Sequence, residues 1–188
     1  MREQERQKKV ISMMISSHSI LRDRYLHLSS LFENGLLLVS VILNAFVFID
    51  SQFIEKQLGI SEASQKLIIG LAAIIVFAIS LVLLQVKWKE KAESHGHAAD
   101  QLFALMQELK TLVDSVEVSE KNSEWANFNK KYTDVNTAIV KIPDSKFNAL
   151  KLRHSRKVEL SKLIDKYPGS LLIILRLRLF FSSFSAKD

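Results

Sequence analysis

The feature that most constrains this chain is the stretch Leu67 to Val86, LIIGLAAIIVFAISLVLLQV: twenty residues without a formal charge, fourteen of them Leu, Ile, Val or Phe. As a helix rising 1.5 Å per residue it is about 30 Å long, the thickness of the hydrocarbon core of a bilayer. On an insertion scale its large apolar side chains favour the membrane by roughly 4 to 8 kcal/mol, more than Ser80 and Gln85 can oppose. The run is expected to cross a membrane.

A second run precedes it. Between Glu33 and Asp50 lie sixteen uncharged residues, NGLLLVSVILNAFVFI, about 24 Å of helix and short of a full crossing alone. Leu31 and Phe32 lengthen it once Glu33 snorkels or faces protein, and the neighbouring span shields Asn44 if the two insert as a hairpin. Two buried core helices are the competing explanation. The expected divisions are an amphipathic helix over 1–30, a first span over 31–50, a loop over 51–66, a second span over 67–86, a helical bundle over 87–167 and an apolar, basic tail over 168–188.

Charge gives the hairpin a direction. Arg22 and Arg24 precede the first span and Lys87, Lys89 and Lys91 follow the second, whereas the loop sets Asp50, Glu55 and Glu62 against Lys56 and Lys66. The positive-inside rule then places both termini in the cytoplasm, and the expected location is a bacterial inner membrane. Met1 to Lys9 is densely charged and no apolar h-region follows it, so no cleavable signal peptide is expected.

Outside the spans the pattern is helical. Two Pro and five Gly in 188 residues leave little turn chemistry for a sheet, so the fold class expected is all-α. From Trp88, the positions Ala92, His95, Ala99, Leu102, Met106, Leu109, Val113 and Val116 recur at alternating steps of three and four, a heptad seam suited to self-association. No Pro separates this seam from the second span, and the two are read as one continuous helix. Gly96 weakens it locally by roughly 1 kcal/mol. Val10, Met14, Ser17, Leu21, Tyr25, Leu28 and Phe32 form a similar stripe leading into the first span. Ser123 is placed as the N-cap of a helix carrying Trp125, Phe128, Tyr132, Val135 and Ile139 and ended by Pro143. Asp144 is placed as the cap of another, carrying Phe147, Leu150, Leu163 and Ile164 and closing near Pro168 and Gly169. The segment from Leu171 to Phe184 is too short to span and carries Arg176 and Arg178. It reads as an interfacial segment with snorkelling arginines, as a strand alternating from Leu175 to Leu179, or as a packed tail.

The order of a basic amphipathic helix, two closely spaced spans, WKEKAESHGHAADQLFALMQEL and then YTDVNTAIVKIPDSKFNALKLRHSRKVELSKLI resembles the SLATT family. Its members are two-transmembrane effectors associated with SMODS nucleotidyltransferases and SLOG sensor domains in prokaryotic conflict systems. Trp88, Lys91, Ala92, His95, Ala98, Ala99, Phe103 and Leu109 carry the resemblance after the second span, and Tyr132, Pro143, His154, Lys157 and Leu160 carry it downstream. The resemblance implies a homo-oligomeric pore-forming or membrane-perturbing effector in antiviral defence, harmful to its own cell when triggered. The partners implied are membrane lipids and a sensor protein, a reverse transcriptase or a nucleotide second messenger.

Enzymatic chemistry is not expected. No Cys is present, which removes thiol nucleophiles, thiolate metal sites and disulfides. His95 and His97 lie two apart on a helix and point to different faces, no phosphate-cradling glycine loop occurs, and neither a cofactor nor a metal is called for. A net charge of +6 suits acidic partners, but direct nucleic-acid binding is not expected. In the basic run LKLRHSRK, Lys151, Arg153, Arg156 and Lys157 are candidates for holding a phosphate of a nucleotide or headgroup; a solvated helix face beside an anionic leaflet is the plainer reading.

The polar residues of the first span form one stripe. With Glu33 at zero, Ser40 falls at about −20°, Asn44 at about +20° and Ser51 at about 0° at 100° per residue. Exposed to lipid this stripe would leave amide and hydroxyl groups unpaired, so it should face helices or water. One reading is a packing face against Gly70, Ala73 and Ser80 of the second span; the other is a pore lining in an oligomer, with Glu33 and Asn44 setting conduction. The sequence thus points to an oligomeric membrane effector, with a non-conducting membrane-anchored adaptor as the rival.

Overall fold

The computed structural model describes residues 2–49, 56, 59–114 and 121–185; among them every regular element is an α-helix and no strand occurs. In chain order these are α1 (Arg2–Phe48), α2 (Glu62–Val86), α3 (Trp88–Asp114), α4 (Lys121–Ala138), α5 (Asp144–Lys166) and α6 (Leu172–Ser185). Two stretches, in α1 and in α2, are long and apolar enough to cross a membrane. The chain divides into two compact units, one of Met1–Ile20 with His95–Asp188 and one of Leu21–Ser94.

The first unit is a helical bundle with its own core. Ile11 of α1, Ala98, Leu102, Leu105, Met106 and Leu109 of α3, and Phe128 of α4 are buried together with Ile139 just past α4. Phe128 is fully buried, with the Trp125 and Tyr132 rings stacked at 5.5 and 6.5 Å between centroids. At the edge of this core Gln7 Nε2 donates to Asn129 Oδ1 at 3.2 Å, and Lys131 pairs with Glu108. On α5, Leu150 and His154 are buried. α6 packs against α5 and buries Leu175, while Arg178 lies 4.9 Å from the centroid of the Tyr167 ring.

This packing assigns the heptad positions. His95, Ala99, Leu102, Met106 and Leu109 are buried within a single chain, and Ala98 and Leu105 are buried beside them. The buried stripe is broader than a two-stranded seam, as expected for a helix set into a globular bundle. Leu102, Met106 and Leu109 are therefore spent on intramolecular packing, which corrects their assignment as an oligomerisation seam. Val113 is 39% exposed, and Val116 lies outside the described residues.

Other boundaries shift for local reasons. Ser123 falls inside α4, whose first described turn begins at Lys121, so it is no N-cap. α4 ends at Ala138, five residues before Pro143. Pro143 takes the cap position of α5 and Asp144 the first turn, where its carboxylate meets the positive end of the helix dipole. The tail is helical, not a strand: Leu175 and Leu179 lie on one helical face four residues apart.

The second unit holds the apolar stretches. Gly59, at φ +66°, and the Ser61 N-cap lead into α2; the Ser64 N–H donates to Ser61 Oγ at 3.4 Å, and Lys66 pairs with Glu62 at 2.6 Å one turn in. α2 stops at Lys87, whose φ of 53° and ψ of 48° are left-handed. Lys87 also begins the next helix, because its carbonyl accepts from the Lys91 N–H at 3.1 Å. The continuous helix expected through this junction is thus two helices joined at one residue. Neither Gly nor Pro marks the break, since a single lysine enters this region for only about 1 to 2 kcal/mol.

Candidate functional site

No residue of α2 is buried in the single chain. Ten of its large apolar side chains, from Leu67 to Leu84, are exposed, Leu84 to 77%. The corresponding surface of α1 runs from Leu31 to Phe48, with Leu37 at 67%. Fully burying one such side chain is worth roughly 1.5 to 3 kcal/mol. Even at half that value, leaving α2 in water forfeits on the order of 10 kcal/mol, as much as the whole stability of a typical domain. None of the apolar window of α2 is buried, whereas the core helix of a soluble protein is mostly buried.

Where α1 and α2 meet, the face of α2 is Gln65, Ile69, Ala72, Val76 and Leu83, all half-buried. Apolar grooves of about 250 and 510 Å³ run between the helices, the larger lined by Phe32, Gly35, Val39, Ala72 and Val76 among others. Gly70, Ala73 and Ser80, taken from the sequence as small residues of the packing face, are instead exposed, and a Cβ on Gly70 would meet open space. Ser80 satisfies its hydroxyl within its own helix, donating to the Val76 carbonyl at 2.8 Å. That bond lets a hydroxyl sit on an otherwise apolar surface.

The polar stripe divides into parts with different fates. Glu33 is engaged: it accepts from Ser29 Oγ at 2.7 Å and pairs with Lys89 Nζ at 2.8 Å. Beside this clamp Phe32 packs on Trp88, 5.0 Å between ring centroids. Ser40 is half-buried on the side of α1 that also carries Leu36 and Leu43. Asn44 is exposed among Val41, Ile42 and Val47. Ser51 lies outside the described residues. The Ser29–Glu33 bond follows from helical spacing of four, whereas the pairing of Glu33 with a lysine 56 positions on has no local signal in the sequence.

The bundle unit pairs the seam histidine His95, read from the sequence as a packed or hydrogen-bonded residue, with a partner that the sequence did not suggest. His18 Nδ1 lies 3.0 Å from His95 Nδ1, with both rings buried and their centroids 5.2 Å apart. Burial, then the neighbouring His95, holds the His18 pKa down to about 4. His95 is also shifted down, by burial and by the Lys146 ammonium. Both rings are thus neutral near pH 7. Among the described residues no three His, Asp or Glu side chains gather as metal ligands.

The basic run on α5 presents two faces. Lys151, Arg153, Arg156 and Lys157 are exposed, while His154 between them is buried. Burial and the charges of Lys157 and Lys9 push the His154 pKa down. No protein-family model, curated protein or solved structure matches the chain.

Proposed function

We propose that this protein is an oligomeric membrane effector of a prokaryotic defence system, which permeabilises or depolarises the cell that carries it when triggered. The observation that carries the membrane part is the apolar surface of α2, on which no residue is buried, since lipid supplies the burial that the single chain does not. In this reading α1 and α2 form a transmembrane hairpin through the inner membrane. The basic residues flanking it keep both termini and the bundle in the cytoplasm, and the exposed arginines and leucines of α6 lie at the headgroup level.

Self-association rests on Asn44. An exposed carboxamide on a membrane-facing surface is costly unless another helix or water meets it. Neighbouring copies that turn their Asn44 side chains inward would satisfy it and line a wet path. The defence role rests on the resemblance to the SLATT family, which also supplies the expectation of a trigger from a sensor protein, a reverse transcriptase or a nucleotide second messenger. The chain is read as having no catalytic role.

A second reading draws on Glu33. Its pairing with Lys89 cancels the charge that a cation-conducting ring would need, which favours a packed, non-conducting hairpin anchoring a helical adaptor. Induced expression separates the two. The effector should collapse membrane potential within minutes, reported by a potential-sensitive dye; an anchor leaves potential and growth unchanged. Topology is read in the same cells: a Cys at Ser61 should react with an impermeant thiol reagent and one at Ala126 should not. The reverse labelling would place the bundle outside and overturn the proposal.

A further inference from the structure

Within the bundle unit, α1, α3 and α5 enclose a groove of about 810 Å³, in the size range of small-molecule sites. Lys8 and Lys9 from α1, Lys110 from α3 and Lys162 from α5 line it, against Glu5 and Glu159. Lys162 is paired with Glu159 at 2.9 Å, while Lys8, Lys9 and Lys110 form no ion pair among the described residues. The hydroxyls of Ser12, Ser16 and Ser155 share the lining, and the ring of Phe103 is 55% exposed there. α5 contributes the face 154, 155, 158, 159 and 162, so Lys151, Arg153, Arg156 and Lys157, the cations singled out from the sequence, are not part of it.

One lining side chain is incomplete. His154 is 8% exposed, and its Nδ1 is buried with no hydrogen-bond partner. A buried polar atom left without a partner costs about 1 to 3 kcal/mol and calls for an explanation. Because His154 lines the groove, a ligand seated there would lie beside its ring.

We propose that this groove binds a small organic phosphate ester, with the phosphoryl group among Lys8, Lys9, Lys110 and Lys162 and the organic body over Phe103. Lysines are compact point charges that suit a doubly charged phosphoryl group, and the groove contains no arginine fork of the kind that recognises a planar carboxylate. Serine hydroxyls donate to the remaining oxygens. A flat or apolar body gains contact with Phe103, Ile15 and Val158 that inorganic phosphate cannot. The site does not depend on the membrane reading, since every residue in it belongs to the bundle.

The ester can come from a soluble metabolite or a lipid headgroup, and calorimetry on the full chain in a neutral detergent distinguishes them. Adenosine monophosphate, dihexanoyl phosphatidate and inorganic phosphate are titrated in turn. Saturable binding of either ester, tighter than that of inorganic phosphate, is expected, and the ester that binds identifies the source. Lys110→Gln with Lys8→Gln should weaken it by about tenfold or more without loss of helicity, because both side chains are solvent-exposed. Phe103→Ala should bring the ester down to the affinity of inorganic phosphate. The His154 ring protons should shift on saturation, a readout that diffuse attraction of an anion to a basic surface does not give. No saturable binding of either ester, equal affinity in the lysine variant, or unmoved His154 signals would overturn the assignment.

Discussion

His18 and His95, 77 residues apart, meet Nδ1 to Nδ1 at 3.0 Å inside the bundle. Two nitrogens at this distance need one proton between them, so one ring is the Nδ1–H tautomer and the other accepts. A doubly protonated pair has no acceptor and two buried charges. The pair is therefore an acid-sensitive joint between α1 and α3.

The pH dependence follows in sign and window. In the unfolded chain His18 binds its proton near 6.5, in the folded chain only near 4, so between these values the unfolded state holds more protons. Stability is fully present above about pH 6.5 and is lost progressively as pH falls toward 4, by on the order of 3 kcal/mol. Thermal unfolding followed by circular dichroism at stepped pH should show this limb. His18→Gln, which hydrogen-bonds but does not titrate, should flatten most of it; an unchanged acid limb in that variant would assign the loss to other groups.

A second expectation concerns Lys87. Its left-handed backbone favours glycine, and its ion pair with Glu90 is exposed and worth little. Lys87→Gly should raise stability by about 0.5 to 1 kcal/mol, and Lys87→Val should lower it by a similar amount or more. Denaturant unfolding in detergent gives the sign. Loss of stability in the glycine variant would mean that Lys87 matters through its charge at the membrane edge.

The core makes a third. Leu102 is completely buried among Ile11, Phe128 and Leu109, so Leu102→Ala should cost about 2 to 5 kcal/mol, whereas Val113→Ala should cost under about 1. Were the heptad positions a surface seam, Leu102→Ala would change oligomer distribution and leave the monomer's unfolding midpoint in place. Analytical ultracentrifugation beside thermal unfolding separates these outcomes.

These cases show what the sequence could carry. Helix, apolar run and core position were legible, because twenty uncharged residues and a stripe at steps of three and four are local patterns with one dominant physical solution. What covers Leu102 or Met106 was not, since a heptad stripe looks alike whether Ile11 and Phe128 or another copy lies against it. The break at Lys87 was hidden because one lysine can turn left-handed without any residue that announces it. His18 with His95 and Glu33 with Lys89 are partners set by tertiary packing. The lysines of the α1, α3 and α5 groove come from three separate segments and leave no local signal, whereas the cations at 151 to 157 stand adjacent in the sequence.

The polar residues of α1 give the last prediction, which discriminates between a conducting assembly and a packed hairpin. Glu33→Gln leaves Lys89 without its carboxylate, so in a pore whose mouth is ringed by these residues the variant should shift reversal potential toward anions, with assembly intact. In a packed hairpin the same change breaks one half-exposed ion pair worth about 0 to 1 kcal/mol, and nothing functional moves. Asn44→Leu sharpens the contrast. It closes a hydrated ring with apolar bulk and should abolish current, yet on a surface that meets only lipid it improves insertion and removes at most roughly 0.6 to 2 kcal/mol of interhelical hydrogen bonding. Single-channel recording in planar bilayers, with cross-linking to verify assembly, reads both variants. Wild-type conductance and selectivity in both, once assembled, would remove Glu33 and Asn44 from any conduction path, leaving the hairpin as an anchor whose exposed apolar faces meet lipid alone.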